Sequence, residues 1–142
     1  MHLEREFSVP APRDAVARAL DRDSTFEGLF PDTRVSNRGG GVRETVTRVA
    51  LAGSSRDLRF VFEVDPLGNV HFRKICDGRI WRSLDGEIRL DALGDSSTRV
   101  TVCMDGKSRA LVPERALSGP LRSQLDEMVE SLRKRVASPE GE

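Results

Sequence analysis

Near the end of the chain, apolar positions recur at helical spacing. Leu121, Leu125, Met128, Val129, Leu132 and Val136 follow one another at steps of 4, 3, 1, 3 and 4. One continuous apolar stripe predicts a helix from about Gly119 to Ala137 that buries a single face. A stripe of that length needs a broad apolar partner, and the preceding segments supply it in strands. Leu58, Phe60, Phe62 and Val64 alternate with Arg59, Val61, Glu63 and Asp65, and Val100, Val102 and Met104 alternate with Arg99, Thr101 and Cys103. Period two of this kind is the mark of a strand with one buried face. Together these patterns predict a curved antiparallel sheet gripping a helix.

The remaining elements follow from local chemistry. Leu3, Phe7 and Val9 alternate with Glu4, Glu6 and Ser8, which gives an opening strand ended by Pro10 and Pro12. Arg13 to Leu20 reads as a short helix with Pro12 near its start. Asp23 or Ser24 caps a second, which carries Phe26, Leu29 and Phe30 and stops at Pro31. Arg34 to Arg38 is a short strand ending in Gly39-Gly40-Gly41, and Val42 to Leu51, rich in Val and Thr, is a longer one.

Turn residues set several registers. Pro66 and Gly68 in Asp65-Pro-Leu-Gly-Asn69 favour a three-residue loop with a bulge, which pairs Phe62 with Phe72 and Phe60 with Lys74. Phe72, Lys74 and Cys76 then face inward. Asp77-Gly78 is a type I′ hairpin signal that would pair Lys74 with Trp81, the only tryptophan, and put it inside as well. A five-residue loop from Leu93 to Ser97 pairs Leu90 with Val100 and Ile88 with Val102. Inward parity is odd at Trp81 and even at Ile88, so the strand must change phase between them, and Asp85-Gly86 is the natural place for the break. For the strand Val42 to Leu51 two solutions stay open: an odd turn at Gly53 to Ser55 would face Glu44 and Arg48 inward, an even one Thr45, Thr47 and Val49.

Composition narrows the partners. The 142 residues suit one domain, 1–137, followed by a disordered tail, 138–142. Basic and acidic residues balance at 23 each, so no global field favours nucleic acid or an anionic membrane. The absence of a signal-type start and of a long apolar run points to the cytoplasm and to no integral membrane segment. Cys76 and Cys103 lack the close spacing of a zinc or redox pair and read as reduced core residues. His2 and His71, the only histidines, form no evident metal site or catalytic pair, and no cofactor is expected. Oligomeric state is open, a homodimer included.

At this point a resemblance can be named. The segments Val9-Pro-Ala-Pro-Arg-Asp-Ala-Val16, Phe26-Glu-Gly-Leu-Phe-Pro31, Leu84-Asp-Gly-Glu-Ile-Arg-Leu-Asp91 and Thr98-Arg-Val-Thr-Val102 resemble the START-like helix-grip superfamily, also called SRPBCC. They are most similar to its polyketide cyclase/dehydrase branch, which includes coenzyme-Q-binding proteins and ribosome-association toxins. The resemblance implies an α+β helix-grip fold, a sheet of about seven strands around a long C-terminal helix, with two short helices after the first strand. It also implies a cavity that holds a lipid, quinone or polyketide-like guest. The chain departs from the pattern in having no Tyr and in the segment Asp77 to Trp81.

The candidate ligand-binding residues are Phe26, Phe30, Phe60, Phe62, Phe72, Lys74, Trp81, Leu125, Met128 and Leu132. All but Lys74 would serve equally as core, so they mark a cavity only if the core is hollow. Lys74 breaks an apolar row, and an interior ammonium must pair, neutralise or reach water. Facing a cavity, it would hold an anionic head group. His71 has parity opposite to Phe72 and falls outside. Arg73, Arg79 and Arg82 near Trp81 suggest a nucleic-acid patch, but Asp77, Asp85 and Glu87 dilute it to a solvated face. The leading expectation is binding of a small hydrophobic or amphipathic ligand. The alternatives are a cyclase, aromatase or dehydratase drawing on Lys74, Arg82, Glu44 or Cys76, and a module that docks on a ribosome or partner protein.

Overall fold

A computed structural model describes residues 1–51, 54–76, 78 and 80–137. The chain runs β1 (His2–Val9), α1 (Arg13–Leu20), α2 (Asp23–Glu27), β2 (Thr33–Gly39), β3 (Val42–Leu51), β4 (Ser54–Val64), β5 (Val70–Lys74), β6 (Trp81–Ala92), β7 (Thr98–Ser108) and α3 (Glu114–Ala137). The strands form one antiparallel sheet in the order β1-β7-β6-β5-β4-β3-β2. Helix α3 lies across its concave side, with Leu121, Leu125, Met128, Val129, Leu132 and Val136 all buried. The curved sheet gripping a helix expected from the periodicities is observed, and with it the α+β helix-grip arrangement that the resemblance implies.

Several registers match the turn chemistry. Phe62 pairs with Phe72, Phe60 with Lys74, Leu90 with Val100 and Ile88 with Val102. Gly68 takes φ +90° in the β4–β5 loop, and the loop closes through Asp65 N–H donating to Asn69 O at 2.8 Å. The open question at β3 resolves as an even register, Leu51 opposite Ser54, so Arg43, Thr45 and Thr47 are buried and Glu44 and Arg48 face outward.

Other expectations need correction. Helix α3 begins at Glu114, five residues before Gly119, and Pro120 sits inside it. Pro120 removes only the bond to the carbonyl of Ala116, and both residues are exposed, so water can take that bond over. The β5–β6 connection is not a two-residue hairpin. Arg73 pairs with Asp85, and Lys74 is followed by a loop through Ile80 in which Ile75 N–H still donates to Arg59 O of β4. Arg109 holds that loop, donating to the carbonyls of Gly78 and Cys76 at 2.9 and 3.3 Å. Asp77 and Arg79, on which the hairpin signal depended, lie outside the described residues. The phase change in β6 is real, but its register shifts between Trp81 and Ser83 rather than at Asp85-Gly86. Cys103 is on the outer face of β7, opposite Glu4, and not in the core.

An unanticipated charged latch closes one end of the sheet. Arg43 is 6% exposed and donates to Asp21 Oδ1 at 2.6 Å and Asp23 Oδ1 at 2.8 Å, with its guanidinium 5.1 Å from the centre of the Phe26 ring. Burying this cation is tolerable because two carboxylates and an aromatic face meet it. The hydrogen bond from Arg43, helped by one from Asn37, holds the Asp23 carboxyl below its ordinary value of 3.8. A carboxyl lowered in the folded state stabilises above the unfolded value and stops doing so as pH falls through the folded one. Asp23→Ala is therefore expected to lower the melting temperature at neutral pH, and the gap from wild type should close below about pH 4 in melts run across that range.

Candidate functional site

Helix α3 makes its close backbone approaches to β1, β7 and the two short helices. Toward β3 and β4 the helix and the sheet diverge, and a groove opens between them. It consists of two adjoining clefts that share Val49, Leu58, Phe60 and Gln124. The smaller, of about 130 Å³, extends to Arg56, Lys74, Ile80, Trp81 and Leu84. The larger, of about 320 Å³, extends to Phe30, Pro31, Thr47 and Glu127.

Each wall has a local cause. Phe60 and Leu58 point inward because β4 alternates, and the even register of β3 brings Thr47 and Val49 beside them. Trp81 points inward because the irregularity at Arg82 reverses the phase of β6, leaving the ring over Gly106, where an added Cβ would lie 2.6 Å from its Cζ3. Phe30 and Pro31 come from the turn after α2, because the second helix ends at Glu27 with Gly28 as its cap and does not run on to Pro31 as expected. Lys74 is half-buried, and among the described residues its Nζ makes a weak contact, 3.4 Å to Ile75 O. Val49, Leu58 and Phe60 thus form an apolar strip shared by both clefts, with cationic Lys74 and Arg56 beside it in the smaller and Asp32, Arg48 and Glu127 in the larger.

Of the ten residues expected to bind ligand, Phe30, Phe60, Lys74 and Trp81 line the groove. Phe26, Phe62, Phe72, Leu125, Met128 and Leu132 pack as core beneath it. Ring centroids stand 4.9 Å apart for Phe26 and Phe62 and 5.5 Å for Phe62 and Phe72, which is aromatic contact distance. Among the proposed proton-transfer groups, Glu44 is on the outer face bound to Arg38, Arg82 is exposed, and Cys76 packs against the core with its thiol 3.6 Å from Lys74 O. Only Lys74 reaches the groove. Gln124 escaped the sequence reading although a signal existed: it lies three residues after Leu121 and four before Met128, a polar side chain inside the apolar stripe. Arg56 shares the parity of Leu58. Glu127 required the tertiary structure.

His71 is exposed on the outer face, as its parity implied, beside Asp65 and Glu87. His2 is on that face too, where a hydrogen bond to Asp105, the Asp105 charge and nearby Glu4 raise its pKa above the ordinary 6.5. Burial, then Glu4, pushes the Cys103 thiol up. No helix among the described residues is long and apolar enough to cross a membrane.

No family model matches the sequence, and no curated protein matches it closely enough to count as similar. Solved structures do match. The aromatase/cyclase Zhui from Streptomyces sp. R1128 superposes with a TM-score of 0.78 at 20% identity, covering 97% of this chain and 94% of that one. Norcoclaurine synthase from Thalictrum flavum, in complex with dopamine and hydroxybenzaldehyde, gives 0.73 at 15% identity over 100% and 89%. A START superfamily protein from Mycobacterium smegmatis gives 0.69 at 15% identity over 95% and 96%. Likeness over nearly the whole chain, together with the order of elements, establishes that this protein has the helix-grip fold of these structures.

Proposed function

We propose that the protein binds a small hydrophobic or amphipathic molecule in the groove between α3 and the β3–β4 half of the sheet. The observation that carries this reading is the divergence of helix and sheet over Leu58, Phe60 and Trp81, which leaves apolar surface uncovered beside an ammonium without a close partner of opposite charge among the described contacts. Binding would remove that surface from water, at about 25 cal/mol per Å², while Lys74 orients an acidic head group. Clefts of this size and lining suit ligands at the small end of the usual range.

A second reading is catalysis of a cyclisation or dehydration on a polyketide-like substrate. It is favoured by the likeness to aromatase/cyclases and by the position of Lys74, which of Lys74, Arg82, Glu44 and Cys76 is the one that lines the groove. Docking on a ribosome or partner protein is a third reading; with the groove permanently empty, it would leave the apolar cleft beside half-buried Trp81 unexplained.

A fatty acid and the alcohol of the same chain length, titrated into wild type and Lys74→Met with Trp81 fluorescence as the signal, test the first reading. Both should bind wild type at about micromolar Kd, roughly −8 kcal/mol, and raise the melting temperature. In Lys74→Met the acid should weaken about tenfold or more and the alcohol little, since a charge-assisted hydrogen bond contributes about 1.5–3 kcal/mol. Equal losses would remove Lys74 from the site, and unchanged melting across a broad panel of lipids and quinones would remove the binding function.

A further inference from the structure

The outer face of the sheet, opposite the groove, brings together groups that neither the fold nor the proposed ligand uses. His2 and Glu4 alternate onto this face of edge strand β1, and the β1–β7 register sets Cys103 directly across from Glu4 and Asp105 across from His2. Their side chains converge. Glu4 Oε1 stands 3.4 Å from Cys103 Sγ and 3.5 Å from His2 Nε2, and one donor atom from each of the three residues lies within 4.8 Å of the others.

We infer that His2, Glu4 and Cys103 form a zinc site that clips the edge strand β1 to β7. Imidazole, carboxylate and thiolate are all ordinary zinc ligands. Bond lengths of about 2.3 Å to sulfur and about 2.0–2.2 Å to nitrogen and oxygen put the donors of a tetrahedral site roughly 3.3–3.7 Å apart. The two donor distances measured from Glu4, 3.4 and 3.5 Å, are already close to that range, and the third lies within 4.8 Å, so a cation entering between the groups has only to draw His2 and Cys103 together.

The surroundings support the same assignment independently. His2 Nδ1 lies 2.7 Å from Asp105 Oδ1. With the Nδ1–H donated to that carboxylate, the Nε2 lone pair points toward Glu4 and Cys103, which is the carboxylate–histidine pairing that fixes a metal-binding imidazole. The cluster borders an open trough of about 570 Å³ whose walls also carry Glu63, Asp85 and Glu87 against Arg73 and Arg89, an excess of negative charge that draws a cation. Arg89 is engaged by Glu87 at 3.2 Å. The Met1 ammonium donates to Gly106 O at 2.9 Å, which anchors the start of the strand that carries two of the ligands. On binding, the Cys103 thiol releases its proton to solvent as the zinc–sulfur bond forms. The cation stabilises the thiolate that burial and Glu4 disfavour. Three protein ligands leave a fourth position, open to the trough, for water or a small anion.

The test uses the full chain, with any affinity tag at its C-terminus so that Met1 and His2 are undisturbed. Zinc in competition with a chromophoric chelator should bind one equivalent at micromolar Kd or tighter. Cobalt(II) in its place should give tetrahedral d–d bands and a thiolate charge-transfer band. Cys103→Ser and His2→Ala should each weaken zinc about 100-fold or more, and Asp105→Asn about tenfold, as loss of an orienting carboxylate does. His71→Ala and Cys76→Ser should leave the affinity unchanged. On wild type alone, saturating zinc should slow alkylation of Cys103 and leave that of Cys76 unaltered. Absence of one-equivalent binding, zinc affinity unaffected by Cys103→Ser, or equal alkylation of Cys103 with and without zinc would each overturn the site. None of these outcomes bears on the groove.

Discussion

Leu125→Asp should leave the chain unfolded, with no cooperative thermal transition and with the far-ultraviolet circular dichroism of a disordered polypeptide. Leu125 is fully buried at the middle of α3. Substitution there combines three losses: about 1.5–3 kcal/mol of apolar burial, the packing of the residues around it, and the desolvation of a carboxylate with no cation to meet it. Whole-domain stabilities are about 5–15 kcal/mol, and buried unpaired charges belong to the few single changes that exceed 4–5. Among the described residues, the one cation buried on the concave side is Arg43, already held by Asp21 and Asp23. A soluble Leu125→Asp protein with a sharp melting transition would contradict the placement of α3 on the sheet.

The second large effect is expected at Gly86. This residue faces inward in β6 directly opposite Phe72 of β5, and the phenyl ring fills the space a side chain would occupy. An added Cβ would lie 2.5 Å from Phe72 Cζ and would also collide with the backbone carbonyl of Cys103. A flexible tip can swing aside, but a carbonyl in a paired strand cannot do so without disturbing the β6–β7 ladder. Gly86→Ala should therefore destabilise by about 1–3 kcal/mol, the usual cost of overpacking a core, despite alanine's lower backbone entropy cost. Chemical denaturation with Gly78→Ala as the comparison measures it, since among the described residues nothing lies within 4 Å of the Cβ position at Gly78. Equal stability of the two variants would mean that Phe72 does not pack over β6.

The same glycine shows where reading along the chain fails. From sequence, Asp85-Gly86 looks like the break that the phase change in β6 requires, because glycine commonly marks a bulge. The strand is continuous there, and the irregularity falls at Arg82, which carries no backbone signal at all. Glycine in a strand has two physical uses, a bend or close approach by a neighbour, and choosing between them requires knowing which ring lies opposite. The groove shows the same division. Phe60, Lys74 and Trp81 were placed inward by alternation and turn length, yet nothing in the alternation distinguishes Phe60, which borders open space, from Phe62, which meets Phe26 and Phe72. Trp81 faces inward although the β5–β6 register pairs Arg73 with Asp85 rather than Lys74 with Trp81, because the phase change that the alternation requires falls at Arg82 instead of Asp85-Gly86.

Read alone, the chain determined the order of the elements and the registers across the β4–β5 and β6–β7 loops, because period and turn geometry are local properties that survive in any tertiary setting. That was enough to place Phe62 opposite Phe72, to put Leu121 through Val136 on one buried face, and to indicate the helix-grip fold. Tertiary structure alone decided what depends on residues distant in the chain. It set the even register of β3 that buries Arg43, the divergence of α3 from β4 that opens the groove, and the meeting of His2, Glu4 and Cys103 across strands separated by almost a hundred residues. Contacts of this kind form only when the whole sheet closes, so no window of sequence contains them.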